Sequence, residues 1–216
     1  MSSDDKITLF LTDDHQIIVD GIMALVAQDP CIHVVGHCNN GLEVLDKVRA
    51  ARPDILVLDI SLPGMNGLDV CRQVKAQVPE TSVLMFTMHT NEQCVMDALQ
   101  NGASGYLVKE AASQEFCEAV HAVSRGEIYL GRGVPRDILD QINRKGPDPY
   151  DLLTDRERQV LQLVVEGRSN QQIGTLLDAP ADTIGADCAS LMRKLGIDNQ
   201  IDLVKYAIRR HIISVE

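Results

Sequence analysis

Five short runs of apolar and β-branched residues, each followed by an amphipathic stretch, constrain the first half of this 216-residue chain more than any other feature. The runs are "ITLFLT" (7–12), "HVVGHC" (33–38), "ILVLD" (55–59), "SVLMFT" (82–87) and "GYLVK" (105–109). Apolar residues recur at helical spacing near 15–28, 41–51, 67–77, 91–101 and 113–125. Strict alternation of this kind predicts a five-stranded parallel sheet, because parallel neighbours need a crossover long enough to hold a helix. The three central runs are nearly all apolar, as strands covered by helices on both faces must be. The expected fold is therefore α/β, doubly wound.

The pattern stops after residue 128. The segment "RGEIYLGRGVPRDILDQINRKGPDPYD" gains Gly and Pro, and its "KGPDPYD" end reads as a flexible linker. Residues 129–150 are thus a joint, with room for one short helix at 135–144. Beyond it, Thr154 with Glu157 and Ser169 with Gln172 each form a capping-box pattern at the head of a helical period, and Asn199 is a third cap. Four short helices over 151–216 make a small all-α module.

Net charge is −11, which argues against broad attraction to nucleic acid or to an anionic membrane. From residue 151 onward, ten acids against eight bases leave −2. No apolar run reaches the roughly 18 residues that span a bilayer. "MSSDDKITLF" also lacks the basic-then-apolar layout of a signal peptide, so a cytoplasmic location is expected. The six cysteines are scattered, without a CxxC pair, and read as small hydrophobes.

Parallel α/β sheets bind ligands beyond the carboxyl ends of their strands. Strand one delivers Asp13 and Asp14 to that edge, strand three Asp59, strand four Thr87 and strand five Lys109. Polar residues commonly end strands because loops are wet, but that does not account for three acids at one edge. Clustered carboxylates repel one another and suit a hard divalent cation such as Mg2+. A carboxylate is also a nucleophile towards phosphorus, with Lys109 and Thr87 placed to hold phosphoryl oxygens. Phosphatases with a nucleophilic Asp carry a second acid two residues later. Here that position is Ser61, which removes the general acid they need.

The motifs "LTDDH", "LVLDISLPGMNGLDV", "MFTMH" and "GASGYLVKE" together resemble the receiver domain of two-component response regulators over residues 5–126. The resemblance implies a flavodoxin-like strand order and a phosphoacceptor at Asp59. It implies Mg2+ held by Asp14 directly, Asp13 directly or through water, Asp59, and the carbonyl of Ser61. Thr87 and Tyr106 fall where the family places its switch pair: the hydroxyl moves towards the phosphoryl group and the ring follows inward. Catalysis extends only to the protein's own phosphorylation and dephosphorylation. Many receivers carry Pro, often cis, after the lysine, whereas Glu110 stands here. Ser61 and His89, each two residues past a key position, flank the path of a hydrolytic water.

Residues 151–213 resemble the LuxR-type helix-turn-helix output domain of NarL/FixJ regulators, through Leu153, Thr154, Arg156, Glu157, Gly167, Ser169, Asn170, Ile173, Thr183 and Lys194 among others. The match weakens in the recognition helix, "DTIGADCASLMRKLGI" (182–197). The family's Ile-Ser before the helix is Ala179-Pro180, with Pro180 expected at the first helical position. The family's basic residue and His are replaced by Gly185 and Asp187. Gly185, Ala186 and Ala189 offer no donor or acceptor to a base, and Asp187 would repel phosphate. Arg168, Asn170, Gln171, Arg193 and Lys194 remain as candidate phosphate contacts. Three outcomes stay open: DNA binding through other contacts or DNA shape, a protein-binding role, or loss of output. The expected partners are a histidine kinase, a second copy after phosphorylation, and DNA weakly through the usual face.

Overall fold

The computed structural model describes residues 6–134, 149–210 and 212–213, leaving aside the side chains of 111–114, and divides the chain into two compact units. The first runs β1 (Ile7–Thr12), α1 (Gln16–Val26), β2 (Ile32–Cys38), α2 (Gly41–Ala51), β3 (Ile55–Leu58) and α3 (Gly67–Gln77). It continues with β4 (Ser82–Thr87), α4 (Glu92–Gln100), β5 (Gly105–Val108), a 3-10 turn at Lys109–Ala111, α5 (Ala112–Ser124) and β6 (Tyr129–Leu130). The sheet order is β2-β1-β3-β4-β5-β6, every pair parallel.

The side-chain period of two decides the layers. Leu9, Leu11, Ile55, Val57, Leu84, Phe86 and Leu107 share one buried cluster with Val19, Ile22 and Val26 of α1 and Phe116, Ala119 and Val120 of α5. The alternate residues Phe10, Leu56, Leu58, Val83, Met85 and Tyr106 are buried too. Both faces of the central strands are therefore covered, and the near-continuous apolar runs follow from that. Asp59 and Lys109, read as the last residues of their strands, lie one step beyond them, where the sheet gives way to loop.

Among the described residues the sheet has six strands, not five. Tyr129–Leu130 falls in the stretch read as the start of the joint, and two residues are too few to show a period. Backbone bonds make this strand: Tyr129 N donates to Ser104 O at 3.1 Å and Gly131 N to Tyr106 O at 2.9 Å. The buried carboxylate of Glu115 secures its end, accepting from Arg132 N at 3.0 Å. The short helix expected at 135–144 lies outside the described residues. No described helix is long and apolar enough to cross a membrane.

The second unit contains a 3-10 turn at Pro149–Leu152, then α6 (Asp155–Val165), α7 (Asn170–Leu176), α8 (Ala181–Leu195) and α9 (Gln200–Arg209). Both capping boxes form, at Thr154/Glu157 and Ser169/Gln172, and Asn199 caps α9. Val160, Leu161, Ile173, Ile184, Leu191 and Leu203 build the core. Tyr150 belongs to the same core, its ring centroid 4.5 Å from the Arg158 guanidinium and 4.9 Å from that of Arg210. Pro180 is the N-cap of α8 rather than its first residue: its ψ of 143° is extended, and it makes no side-chain cap bond. The helix begins at Ala181, and the serine-type cap is not replaced.

Candidate functional site

Asp13, Asp59, Thr87 and Lys109 come from four strand ends and are all buried. Parallel pairing brings them to one edge: β1 lies beside β3, β3 beside β4, and β4 beside β5. The Lys109 ammonium sits 2.7 Å from Asp13 Oδ2 and 2.7 Å from Asp59 Oδ2, bridging two carboxylates. The contact to Asp13 Oδ2 is an ion pair without a well-directed hydrogen bond. Asp59 Oδ1 accepts from the backbone N–H of Ile60 at 2.7 Å.

Burial pushes the Asp13 carboxyl above its ordinary pKa, and Lys109 and the His15 N–H only partly offset it. Burial alone would lower the Lys109 ammonium, but Asp59 and Asp13 outweigh it and hold the pKa above the usual value. Lys109 is therefore a fixed positive charge. Asp14 is more open, its side chain 36% exposed, and its Oδ1 lies 2.7 Å from His15 Nδ1. Ligand atoms of Asp13, Asp14 and His15 lie within 4.8 Å of one another. Buried and half-open carboxylate oxygens suit a hard divalent cation, so the residues present fit Mg2+.

Backbone proximity holds the loop that follows Asp59. Gly67, the first residue of α3, donates to Ile60 O at 2.9 Å. A Cβ added there would lie 1.9 Å from the carbonyl oxygen of Asp59, so no larger residue fits. Thr87 is fully buried, and its Oγ1 accepts from His89 N at 3.4 Å. Tyr106 is fully buried with its ring inside, its hydroxyl donating to His89 O at 2.9 Å. Ser61 Oγ and His89 Nε2 are hydrogen-bonded at 3.0 Å, a contact between the two flanking positions that spacing alone does not reveal. Glu110 takes the place of the expected proline, and among the described residues no peptide bond is cis.

In the second unit, Arg168, Asn170 and Gln171 are exposed around the start of α7, and Arg193 is exposed near the end of α8. Lys194 pairs with Glu157 Oε2 at 2.6 Å. On the first turns of α8, Asp182, Thr183, Ala186 and Ala189 are exposed. Asp187 is not a bare acid: its Oδ2 accepts from Arg156 Nε at 2.7 Å. The pair consumes a cation that would otherwise be available to an anionic ligand.

Residues 9–121 match the family described as response regulator receiver domain, and residues 151–207 match bacterial regulatory proteins, luxR family. The DNA-binding transcriptional activator DevR/DosR of Mycobacterium tuberculosis is 33% identical over 203 residues, covering 93% of this chain and 94% of its own. The transcriptional regulatory protein MctR of Rhizobium johnstonii is 30% identical over 214 residues, 99% of each chain. Among solved structures, one of two RcsB dimers bound to two parallel DNAs matches with a TM-score of 0.60 and 25% identity, covering 95% of this chain and 99% of that one.

Proposed function

The chain belongs to the response regulators that join a receiver domain to a LuxR-type helix-turn-helix domain, and from that premise we propose that a histidine kinase phosphorylates it on Asp59 to control transcription. The observation that carries the acceptor assignment is the bridge of Lys109 between Asp59 and Asp13, 2.7 Å to each. It leaves Asp59 as a buried carboxylate beside a permanent cation at the ligand-binding edge of the sheet.

In the transfer, an Asp59 carboxylate oxygen attacks the phosphorus of a phosphohistidine. The new P–O bond forms as the P–N bond breaks, giving an acyl phosphate and returning the nitrogen lone pair to the imidazole. Mg2+ held by Asp13, Asp14, Asp59 and the Ser61 carbonyl would neutralise charge on the phosphoryl oxygens when bound. Lys109 stays charged throughout and moves from pairing the carboxylate to pairing the phosphoryl group. Thr87 turns its hydroxyl to the same group and gives up its contact with His89 N. Tyr106, already inward with its hydroxyl on His89 O, couples the β4–α4 turn to that movement. The receiver surface changes with that turn and favours a homodimer.

The output unit then meets DNA chiefly through phosphates, by Arg168, Asn170, Gln171 and Arg193, with weak selection of sequence. Support comes from the exposed face of the first turns of α8, where Asp182 is acidic and Ala186 and Ala189 offer no donor or acceptor, and from the Arg156–Asp187 pair. The same pair favours a second reading, in which the helix-turn-helix module acts on a protein partner.

Two experiments test this function. Acetyl phosphate should label the wild-type chain and not Asp59→Asn with its fold intact by circular dichroism; persistent labelling would place the acceptor elsewhere. Selection from random duplexes by the phosphorylated full chain at physiological salt should give little enrichment. A single strongly enriched motif would overturn the weak-selection reading and establish displaced base contacts.

A further inference from the structure

We propose a second covalent step in the receiver: the phosphoryl group on Asp59 passes to the hydroxyl of Ser61, with His89 as the base, leaving phosphoserine and a free Asp59 carboxylate. The inference rests on the reading of Asp59 as the acceptor. It goes beyond that reading in giving the acyl phosphate an intramolecular fate besides hydrolysis.

The pair that carries it is Ser61 Oγ and His89 Nε2, 3.0 Å apart and half-buried. In the imidazole tautomer protonated on Nδ1, Nε2 accepts from the serine hydroxyl, the arrangement that activates a hydroxyl as a nucleophile. The His89 backbone is held on both sides at the pocket. Its N donates to Thr87 Oγ1 at 3.4 Å, and its O accepts from the Tyr106 hydroxyl at 2.9 Å. The base is thus anchored to Thr87, one of the two groups placed to hold phosphoryl oxygens. Ser61 is anchored separately, at the centre of a tight turn in which Leu62 N donates to Ile60 O at 3.0 Å. Two steps of chain put its Cα at most about 7 Å from that of Asp59. A phosphoryl group projecting from Asp59 comes within reach of the hydroxyl.

The step balances without a co-reactant. The Ser61 oxygen attacks phosphorus while its proton passes to His89 Nε2. The new P–O bond forms as the bond to the Asp59 oxygen breaks, and the electron pair returns to the carboxylate. That leaving group is well prepared, because Asp59 Oδ1 accepts from Ile60 N at 2.7 Å and Lys109 lies 2.7 Å from Oδ2. An acyl phosphate is a mixed anhydride and a serine phosphate an ester, so the transfer runs downhill. Water competes at about 55 M, whereas well-oriented intramolecular groups reach effective molarities of about 10⁵ M or more. The product keeps a charge of about −2 beside the pocket after the acyl phosphate is spent, turning a transient signal into a lasting one.

The test follows the full chain after radiolabelling with acetyl phosphate. Hydroxylamine removes an acyl phosphate and leaves phosphoserine. A resistant label should grow as the Asp59 label decays, and peptide mass spectrometry should place it on Ser61. In Ser61→Ala, whatever label forms should all be removed by hydroxylamine. In His89→Gln the ratio of resistant to labile label should fall by at least about a hundredfold, the lower end of what a general base contributes. In Asp59→Asn, Ser61 should stay unlabelled. An Asp59 label that decays to inorganic phosphate alone overturns the relay and leaves the acceptor standing. Phosphate on Ser61 in Asp59→Asn overturns it too, by showing direct transfer from the donor, and an unchanged ratio in His89→Gln overturns the role of the base. Failure to label Asp59 at all overturns the acceptor reading together with the relay.

Discussion

Glu157 concentrates several functions of the second unit in one carboxylate. Its Oε2 accepts from Thr154 N at 2.8 Å and from the Lys194 ammonium at 2.6 Å, and its Oε1 accepts from Ser190 Oγ at 2.7 Å. Burial by itself would raise its pKa, but Lys194, the Thr154 backbone and Ser190 outweigh it and pull the value down to about 2. The unfolded value is about 4.3, so the stabilisation is fully present above that pH and is lost as pH falls towards 2. Glu157→Gln should therefore cost on the order of 2 kcal/mol at pH 7, and the gap from wild type should narrow below about pH 4.3 and close only by about pH 1. Urea unfolding followed by circular dichroism at several pH values measures this. A gap independent of pH would mean that packing, not charge, is lost. The Thr154–Glu157 box was legible because its partners stand three residues apart. Ser190 and Lys194, 33 and 37 residues from Glu157, were not. The same limit hid the Arg156 partner of Asp187, so that residue read as an unpaired acid.

At the scale of elements, α8 shows which irregularities packing demands and which it tolerates. Gly174 in α7 is demanded: an added Cβ would lie 2.4 Å from Ala179 O, where the chain turns into α8. Gly185 in the middle of the first turns is not, because a Cβ there would meet only Asn170 Nδ2 at 3.6 Å, an ordinary contact. Gly185→Ala should stabilise the unit by about 1 kcal/mol, raising its melting temperature by about 4–8 °C. Scanning calorimetry would show this, and a fall instead would reveal strain at the Asn170 contact. The helices and their caps were legible because period and cap chemistry are local. The position of Pro180 was not, since a proline φ near −60° fits both the cap and the first helical residue, and only ψ separates them. β6 escaped for a related reason: its identity lies in backbone bonds to β5 and not in its own two side chains.

Across the whole molecule, charge sets the terms for DNA. With −11 overall and Arg156 already engaged, few cations remain to release counterions from a duplex. Asp187→Ala should return Arg156 to that task and steepen the dependence of log K on log salt by about one. Fluorescence anisotropy of the full chain on a random duplex over a salt series measures the slope, and an unchanged slope would keep Arg156 out of the contact. The sheet has a further consequence, in kinetics. Lys109 and Asp59 are separated by 50 residues, and the bridge between them closes only after β3, β4 and β5 have paired. Such long loops are slow to close. A nascent or partly opened receiver has Asp59 but no pocket around it, so under the proposed function competence for phosphorylation doubles as a checkpoint on complete folding.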